Sequence, residues 1–260
     1  MARRCPDITG RIMRYLKLAR GWRAAIVVAG LIGAAASPAA SSDIDDPHAV
    51  TEPFGRSAFQ VPDDHALAMK WQGVARELTD ELLVLALCEE SRSRCDSPQA
   101  LRFLAIIDAA KSKDGRARAG EINRAMNLGV RASSDLALYG EADVWRAPLA
   151  LLAVGAGDCE DVAIAKFVAL RAAGFVAADL RIVILRDTLR HEDHAVAAVR
   201  MDGRWWLLDN RRMAMVEDVH LKNHQPLFVL DSVGVRHYRD APLVAYAQMR
   251  MPESAAVAAP

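Results

Sequence analysis

The second half of the chain contains the three residue types that acyl transfer through a covalent thioester requires. Cys159 begins the apolar segment CEDVAIAKFVALRAAG, His194 begins HAVAAVRM, and Asp209 lies near the end of RWWLLDN. In this chemistry the cysteine attacks a carbonyl carbon, and the histidine takes its proton and returns it to the leaving amine. The aspartate orients the imidazole and stabilises its charged form. The set can work only if the surrounding elements bring the three side chains together.

The segment that starts at Cys159 predicts a buried helix. Its residues 159–173 include only four charged side chains, and Gly174 follows where a helix typically ends. A helix that is apolar nearly all round is typical of a protein core. Cys159 would then lie in the first turn, where the helix dipole and the free backbone N–H groups favour a thiolate and help to hold an oxyanion. A buried structural cysteine is the alternative.

Asp202-Gly203 predicts a two-residue turn between two strands, over residues 194–201 and 204–210. Side chains in a strand alternate between two faces, so the turn fixes which residues share a face. Counting back from it makes His194 and Asp209 diagonal neighbours on one face, roughly 7–8 Å apart at the backbone. A carboxylate would then bind one imidazole nitrogen and leave the other for a nucleophile.

The remaining pattern predicts an α+β fold. Apolar residues recur at helical spacing from about residue 64, again after Pro98 and over about 116–128, so the N-terminal part is predicted to be helical. Residues 130–148 are predicted to form a long connection. LRIVILR, residues 180–186, predicts a further strand. One central buried helix followed by antiparallel strands indicates an α+β domain.

The N-terminal segment, residues 1–39, predicts a secretory signal peptide. It contains seven basic residues and one acidic residue, and its basic part is followed by the apolar run 24–36 and small residues. An uncleaved membrane anchor is the alternative, but the run is shorter than the roughly 20 residues of a spanning helix. We therefore expect a periplasmic or secreted protein. The predicted divisions are a signal peptide over 1–39, an irregular lead-in over 40–62, a catalytic domain over 63–251 and a flexible tail over 252–260.

The charge of the remaining chain argues against a nucleic-acid partner, and its cysteines predict one disulfide. Subtracting the charges of the segment 1–39 from the 33 basic and 33 acidic residues leaves 26 against 32, a net charge of −6. A nucleic-acid partner is not expected, because it would require a concentrated basic face. An oxidising compartment favours a disulfide between Cys88 and Cys95, which flank a short polar loop, with two reduced thiols as the alternative. Cys159 would then remain outside a disulfide.

The strings GDCEDVAIAK, DHAV and WLLDN, preceded by YGEADVWRAP, resemble the bacterial transglutaminase-like cysteine peptidases, a group that includes adhesin-cleaving periplasmic proteases of the LapG type. The resemblance covers roughly residues 135–212. It implies a papain/transglutaminase-like fold and a triad of Cys159, His194 and Asp209. It also implies a protein substrate, such as an exported or surface adhesin, and leaves room for an inner-membrane regulatory partner.

The acidic residues beside the cysteine raise the question of a metal ion. Asp158 is placed to cap the helix. Negative charge at Asp158, Glu160 and Asp161 would nevertheless oppose ionisation of the thiol, and a bound calcium ion would remove that conflict. The resemblance implies calcium at positions matching Asp158 and Glu160, although the acyl-transfer chemistry itself requires no cofactor. The indole N–H of Trp145 is a candidate oxyanion donor, with core packing as the alternative.

Three functions fit these observations. The first is an exported cysteine endopeptidase that works through a thioacyl intermediate. The second is a catalytically silent binding protein on the same fold, and the third is an amidase or an amine-transferring transglutaminase. The choice between water and an amine as acceptor depends on the shape of the cleft, which the sequence does not specify.

Overall fold

The structure, a computed structural model, describes residues 52–241 of the 260. Six α-helices lie in this part of the chain. One short strand of the main sheet precedes them, and the other strands of that sheet follow the last helix. The predicted helical N-terminal part is thus present. The helices are α1 Ala66–Glu90, α2 Pro98–Lys111, α3 Gly115–Gly129, α4 Asp135–Tyr139, α5 Pro148–Val154 and α6 Cys159–Ala172.

Local sequence explains where the first two helices begin. The imidazole of His65 accepts a hydrogen bond from the backbone N–H of Leu67, so His65 caps α1. Ser97 caps α2 through the N–H of Ala100, and Pro98 occupies the first helical position, where no backbone donor is needed.

A disulfide joins the end of α1 to the segment before α2. It links Cys88 to Cys95, as the sequence predicted, and Cys159 lies outside any disulfide. Cys88 is buried in the core that the helices share.

Removing this disulfide is expected to lower the free energy of unfolding by about 2–3 kcal/mol, because the cross-link restricts a short loop of the unfolded chain. For a domain of this size that corresponds to a fall of roughly 5–10 °C in melting temperature. Thermal unfolding of Cys88→Ala/Cys95→Ala, compared with Cys159→Ala as a control that keeps the bond, tests this. Equal melting temperatures for the two variants would contradict it.

The nine strands within residues 52–241 form two sheets. Seven of them make one antiparallel sheet in the order β1-β9-β8-β4-β5-β6-β7, and β2 pairs with β3 in parallel. The β5–β6 hairpin has the predicted register, with Met201 opposite Arg204 across a two-residue turn. The strands are β1 Ala58–Gln60, β2 Arg131–Ala132, β3 Ala156–Gly157, β4 Leu180–Asp187, β5 Glu192–Met201, β6 Arg204–Leu208, β7 Val216–Glu217, β8 His224–Leu230 and β9 Val235–Tyr238.

Helix α6 is the central element of the core. It packs against β5 and β4 on one side and against α3 and α5 on others. Its residues from Glu160 to Leu170 are all buried, which agrees with the nearly continuous apolar sequence. The architecture is α+β, with a buried helix against an antiparallel sheet.

Several predicted boundaries need correction. Residues 130–148 are not a bare connection, because they contain β2 and α4 and reach the start of α5. The lead-in is not wholly irregular, since β1 pairs with β9 at the edge of the sheet. The predicted strand 204–210 ends at Leu208, which leaves Asp209 just beyond β6. The short strands β1 and β2 are defined by pairing with distant strands, which local periodicity does not reveal.

The predicted signal peptide over 1–39 and tail over 252–260 lie outside the described residues, as do residues 40–51 of the lead-in. Among the helices that are described, none combines the length and the apolar character that crossing a membrane requires.

Candidate active site

Cys159 occupies the first residue of α6, as predicted. Asp158 caps the helix, because its carboxylate accepts a hydrogen bond from the backbone N–H of Glu160 at 3.3 Å. The thiol of Cys159 is half-buried and lies 2.8 Å from Oε2 of Glu160, to which it donates. The cysteine is thus placed where the helix dipole favours a thiolate, but its thiol hydrogen-bonds to an acid that opposes ionisation.

Gly157 lets the backbone approach the start of α6 closely. A Cβ atom at this position would lie 2.5 Å from Cδ1 of Leu151 and 2.6 Å from Oδ2 of Asp161. Both distances are shorter than real Cβ contacts, so a larger residue would force Leu151, Asp161 or the segment before Cys159 to shift. The glycine of the Gly-Asp-Cys string therefore has a steric role.

His194 and Asp209 form a buried pair. The Nε2 atom of His194 lies 2.8 Å from Oδ1 of Asp209, and the two residues are 1% and 6% exposed. The same oxygen accepts the backbone N–H of Arg211 at 2.9 Å. Within residues 52–241, Nδ1 of His194 has no hydrogen-bond partner. One imidazole nitrogen is therefore engaged by the acid, and the other remains available to accept a proton.

Asp209 is held in its ionised form. Burial alone would raise its pKa, but the hydrogen bond and charge of His194, the N–H of Arg211 and the charge of Lys166 together lower the pKa to about 2. An ionised Asp209 requires the proton of the shared hydrogen bond to sit on Nε2 of His194. The lone pair of the neutral ring then lies on Nδ1.

Four carboxylates converge around the start of α6. Ligand atoms of Asp158, Cys159 and Glu160 lie within 4.8 Å of one another, and the same holds for Asp135, Asp158 and Asp161. Asp158 belongs to both groups. Asp135, on the short helix α4, was not predicted, and Asp161 was predicted as an acid near the thiol but not as a metal ligand.

Asp161 shows that this cluster suits a cation. Its Oδ1 accepts the backbone N–H of Arg146 at 2.8 Å, whereas its fully buried Oδ2 has no hydrogen-bond partner in the described part of the chain. Burial, followed by repulsion from Asp158 and Asp135, raises the pKa of Asp161 to about 8. A hard cation with oxygen ligands, such as calcium, would supply the missing partner and relieve the repulsion.

Trp145 lies in the core beside this cluster. Its indole N–H donates to Oδ1 of Asp143 at 3.0 Å, and its ring packs edge-on against Trp71. Its side chain is almost fully buried. These contacts fit the packing alternative, and the oxyanion role stays a prediction.

Sequence reasoning also missed a buried lysine behind the histidine–aspartate pair. Lys166 is fully buried on α6 and donates to Oδ1 of Asn123 at 2.8 Å and to the backbone oxygen of Leu208 at 3.2 Å. A lysine in an otherwise apolar helical segment was the available signal, because such a side chain is almost never fully buried without a partner.

Comparison with known proteins agrees with this architecture. Residues 82–223 match a family described as bacterial transglutaminase-like cysteine proteinase. Legionella pneumophila LapG has a similar structure, with 21% identity, a TM-score of 0.50 and coverage of 60% of this chain and 86% of LapG. Its calcium-bound structure matches with 20% identity, a TM-score of 0.50 and coverage of 67% and 92%. No curated protein sequence matches the chain. At these identities the structural likeness shows the fold alone.

Proposed function

The chain belongs to the bacterial transglutaminase-like cysteine proteinases, and we propose that it is an exported cysteine endopeptidase with Cys159 as nucleophile. His194 is the general base and acid, and Asp209 orients it. The observation that carries this proposal is the buried 2.8 Å hydrogen bond between Nε2 of His194 and Asp209, with Nδ1 of the same ring lacking a partner in residues 52–241.

The arrangement supports hydrolysis in two steps. Nδ1 of His194 takes the proton of the Cys159 thiol, and the sulfur attacks the scissile carbonyl carbon. Backbone N–H groups at the start of α6 would stabilise the oxyanion. The imidazolium then gives its proton to the leaving amine, and a thioester remains on Cys159. Water, deprotonated by His194, cleaves the thioester and restores the thiol.

Calcium binding is the second part of the proposal. The ligands would be Asp158 and Glu160, which flank the nucleophile, together with Asp135 and Asp161, whose carboxylates lie close to that of Asp158. The ion would neutralise carboxylates that otherwise oppose ionisation of Cys159, and it would draw Glu160 into its own coordination shell. A calcium-bound structure of Legionella pneumophila LapG is consistent with such a site.

Location and substrate rest on the sequence. The basic, apolar and small-residue order of the segment 1–39 supports export. The resemblance to adhesin-cleaving proteases supports an extended segment of another exported or surface protein as substrate. An inner-membrane regulatory partner would be compatible with that location.

Comparing secreted and surface proteins of cells that carry the wild type or Cys159→Ala tests the proposed activity. We expect one or more full-length surface proteins to accumulate only with the variant, and the purified wild type to cleave them. Adding a labelled amine identifies the acceptor, because a transglutaminase would attach it to the substrate. Identical protein profiles, or attachment of the amine without cleavage, would contradict a peptidase.

A further inference from the structure

Lys166 lies behind the aspartate, on the same helix as the nucleophile. It follows Cys159 by seven residues in α6, which places both on one side of the helix two turns apart. Its ammonium group donates to Asn123 of α3 and to the backbone oxygen of Leu208, the last residue of β6. The residue after Leu208 is Asp209. Lys166 thus connects α6 to the point where β6 ends and the orienting acid begins.

Two asparagines of α3 extend this connection to the turn after β6. The side-chain amide of Asn123, which accepts from Lys166, donates to the backbone oxygens of Arg212 and Met213 at 2.9 and 3.1 Å. The amide of Asn127, four residues later and on the same helix face, donates to the backbone oxygens of Asp209 and Arg212 at 2.9 and 2.8 Å. The turn over residues 209–213 is therefore attached to α3 and α6 by side chains rather than by strand pairing.

We propose that Lys166, acting through Asn123, is a positioning residue for the reaction: it fixes the turn that holds the Asp209 carboxylate against His194. The inference rests on the proposed function, in which Asp209 orients the general base. Asp209 lies beyond the last residue of β6, and the exposed residues Arg212 and Met213 of the turn do not pack in the core, so the position of Asp209 depends on side-chain contacts. Beside the connection through Asn123, these contacts include those of Asn127 and the hydrogen bond from Arg211 to Glu192.

Burying the ammonium group of Lys166 has a desolvation cost, so a contribution to stability alone does not explain a lysine at this position. Burial lowers the pKa of Lys166 to about 7, although the charge of Asp209 acts in the opposite direction. Replacing a buried charged group by an apolar side chain of similar volume is often neutral or stabilising. Either protonation state of the amine still carries N–H groups for Asn123 and Leu208, so the geometric role does not depend on the charge.

The test compares Lys166→Met with Phe167→Leu in the full chain. Phe167 is the next residue of α6, is also buried and packs against Trp71, so its variant loses core packing but keeps the hydrogen bonds of Lys166. We expect Lys166→Met to lower kcat by roughly 10- to 100-fold with KM unchanged, since small displacements of an orienting group have effects of this size. Phe167→Leu should keep kcat, whatever its melting temperature.

Nuclear magnetic resonance provides a readout that does not depend on turnover. The strongly hydrogen-bonded Nε2 proton of His194 should give a downfield signal in the wild type and in Phe167→Leu that broadens or disappears in Lys166→Met. If Lys166→Met does not fold, Asn123→Ala carries the same prediction, because it removes the side chain that connects Lys166 to the turn.

The outcomes separate two failures. If His194→Ala has the same kcat as the wild type, the proposed function is overturned and the inference with it. A kcat that depends on His194 but is the same in Lys166→Met, Asn123→Ala and Phe167→Leu, with the downfield signal retained, would overturn the positioning role alone.

Discussion

Asp209→Asn is expected to lower kcat by about 10⁴-fold while leaving the fold intact, as the loss of the orienting acid does in triads of this kind. The carboxylate accepts the Nε2 proton of His194 and so directs the ring's lone pair to Nδ1. An asparagine amide offers a donor as well as an acceptor. It would favour the opposite tautomer, in which Nδ1 carries the proton and cannot take another from the thiol.

The control for this prediction is Asp231→Asn. Asp231 is buried to nearly the same extent as Asp209, but its carboxylate binds Arg236 and the backbone N–H of Val233. Its substitution should affect the melting temperature rather than kcat. The kcat of each variant is measured on a substrate identified with Cys159→Ala, and the melting temperature by thermal unfolding. An Asp209→Asn enzyme with wild-type kcat would mean that the buried pair has only a structural role.

Removing calcium is expected to abolish activity and to lower the melting temperature. Without a cation the carboxylates of buried Asp135 and Asp161 and of half-buried Asp158 are held close together, and the thiol of Cys159 donates to Glu160. A ligand present at about one hundred times its dissociation constant stabilises the folded state by about 2.7 kcal/mol, or roughly 5–10 °C here. The physical reason is that the ion would bind the assembled cluster and not the unfolded chain.

Thermal unfolding with calcium and with EGTA checks this without an activity assay. The wild type and Asp179→Asn, which removes an acid paired with Arg200 outside the cluster, should both be stabilised by calcium. Asp158→Asn should not respond, because Asp158 belongs to both carboxylate groups. Cleavage that continues unchanged in EGTA, together with equal melting temperatures, would contradict the calcium site.

Local patterns in the sequence were enough to locate the main parts of the site. The apolar run after Cys159 predicted α6, and the Asp202-Gly203 turn fixed the register that gives His194 and Asp209 a common face. Each of these features depends on residues close together in the chain. The disulfide between Cys88 and Cys95 was predictable for the same reason.

The features that sequence reasoning missed depend on contacts between distant segments. Asp135 joins the acidic cluster from α4, which is separated from Asp158 by α5 and β3. Asn123 forms hydrogen bonds with Lys166 of α6 and with the turn after β6, although several elements separate it from each of them along the chain. A polar residue in a helix gives no indication of its partner when the two are this far apart. The partners become visible only when burial shows which polar groups require them.

The most direct test of the account is the rate at which iodoacetamide alkylates Cys159 between pH 5 and pH 9, in the wild type and in His194→Ala. An ordinary thiol has a pKa of about 8.5, so only about 0.3% of it is thiolate at pH 6. We predict that the wild type reacts at pH 6 on the order of 100 times faster than His194→Ala, which should follow the profile of an ordinary thiol. Identical profiles for the two proteins would show that His194 does not activate Cys159, and the proposed mechanism would be wrong.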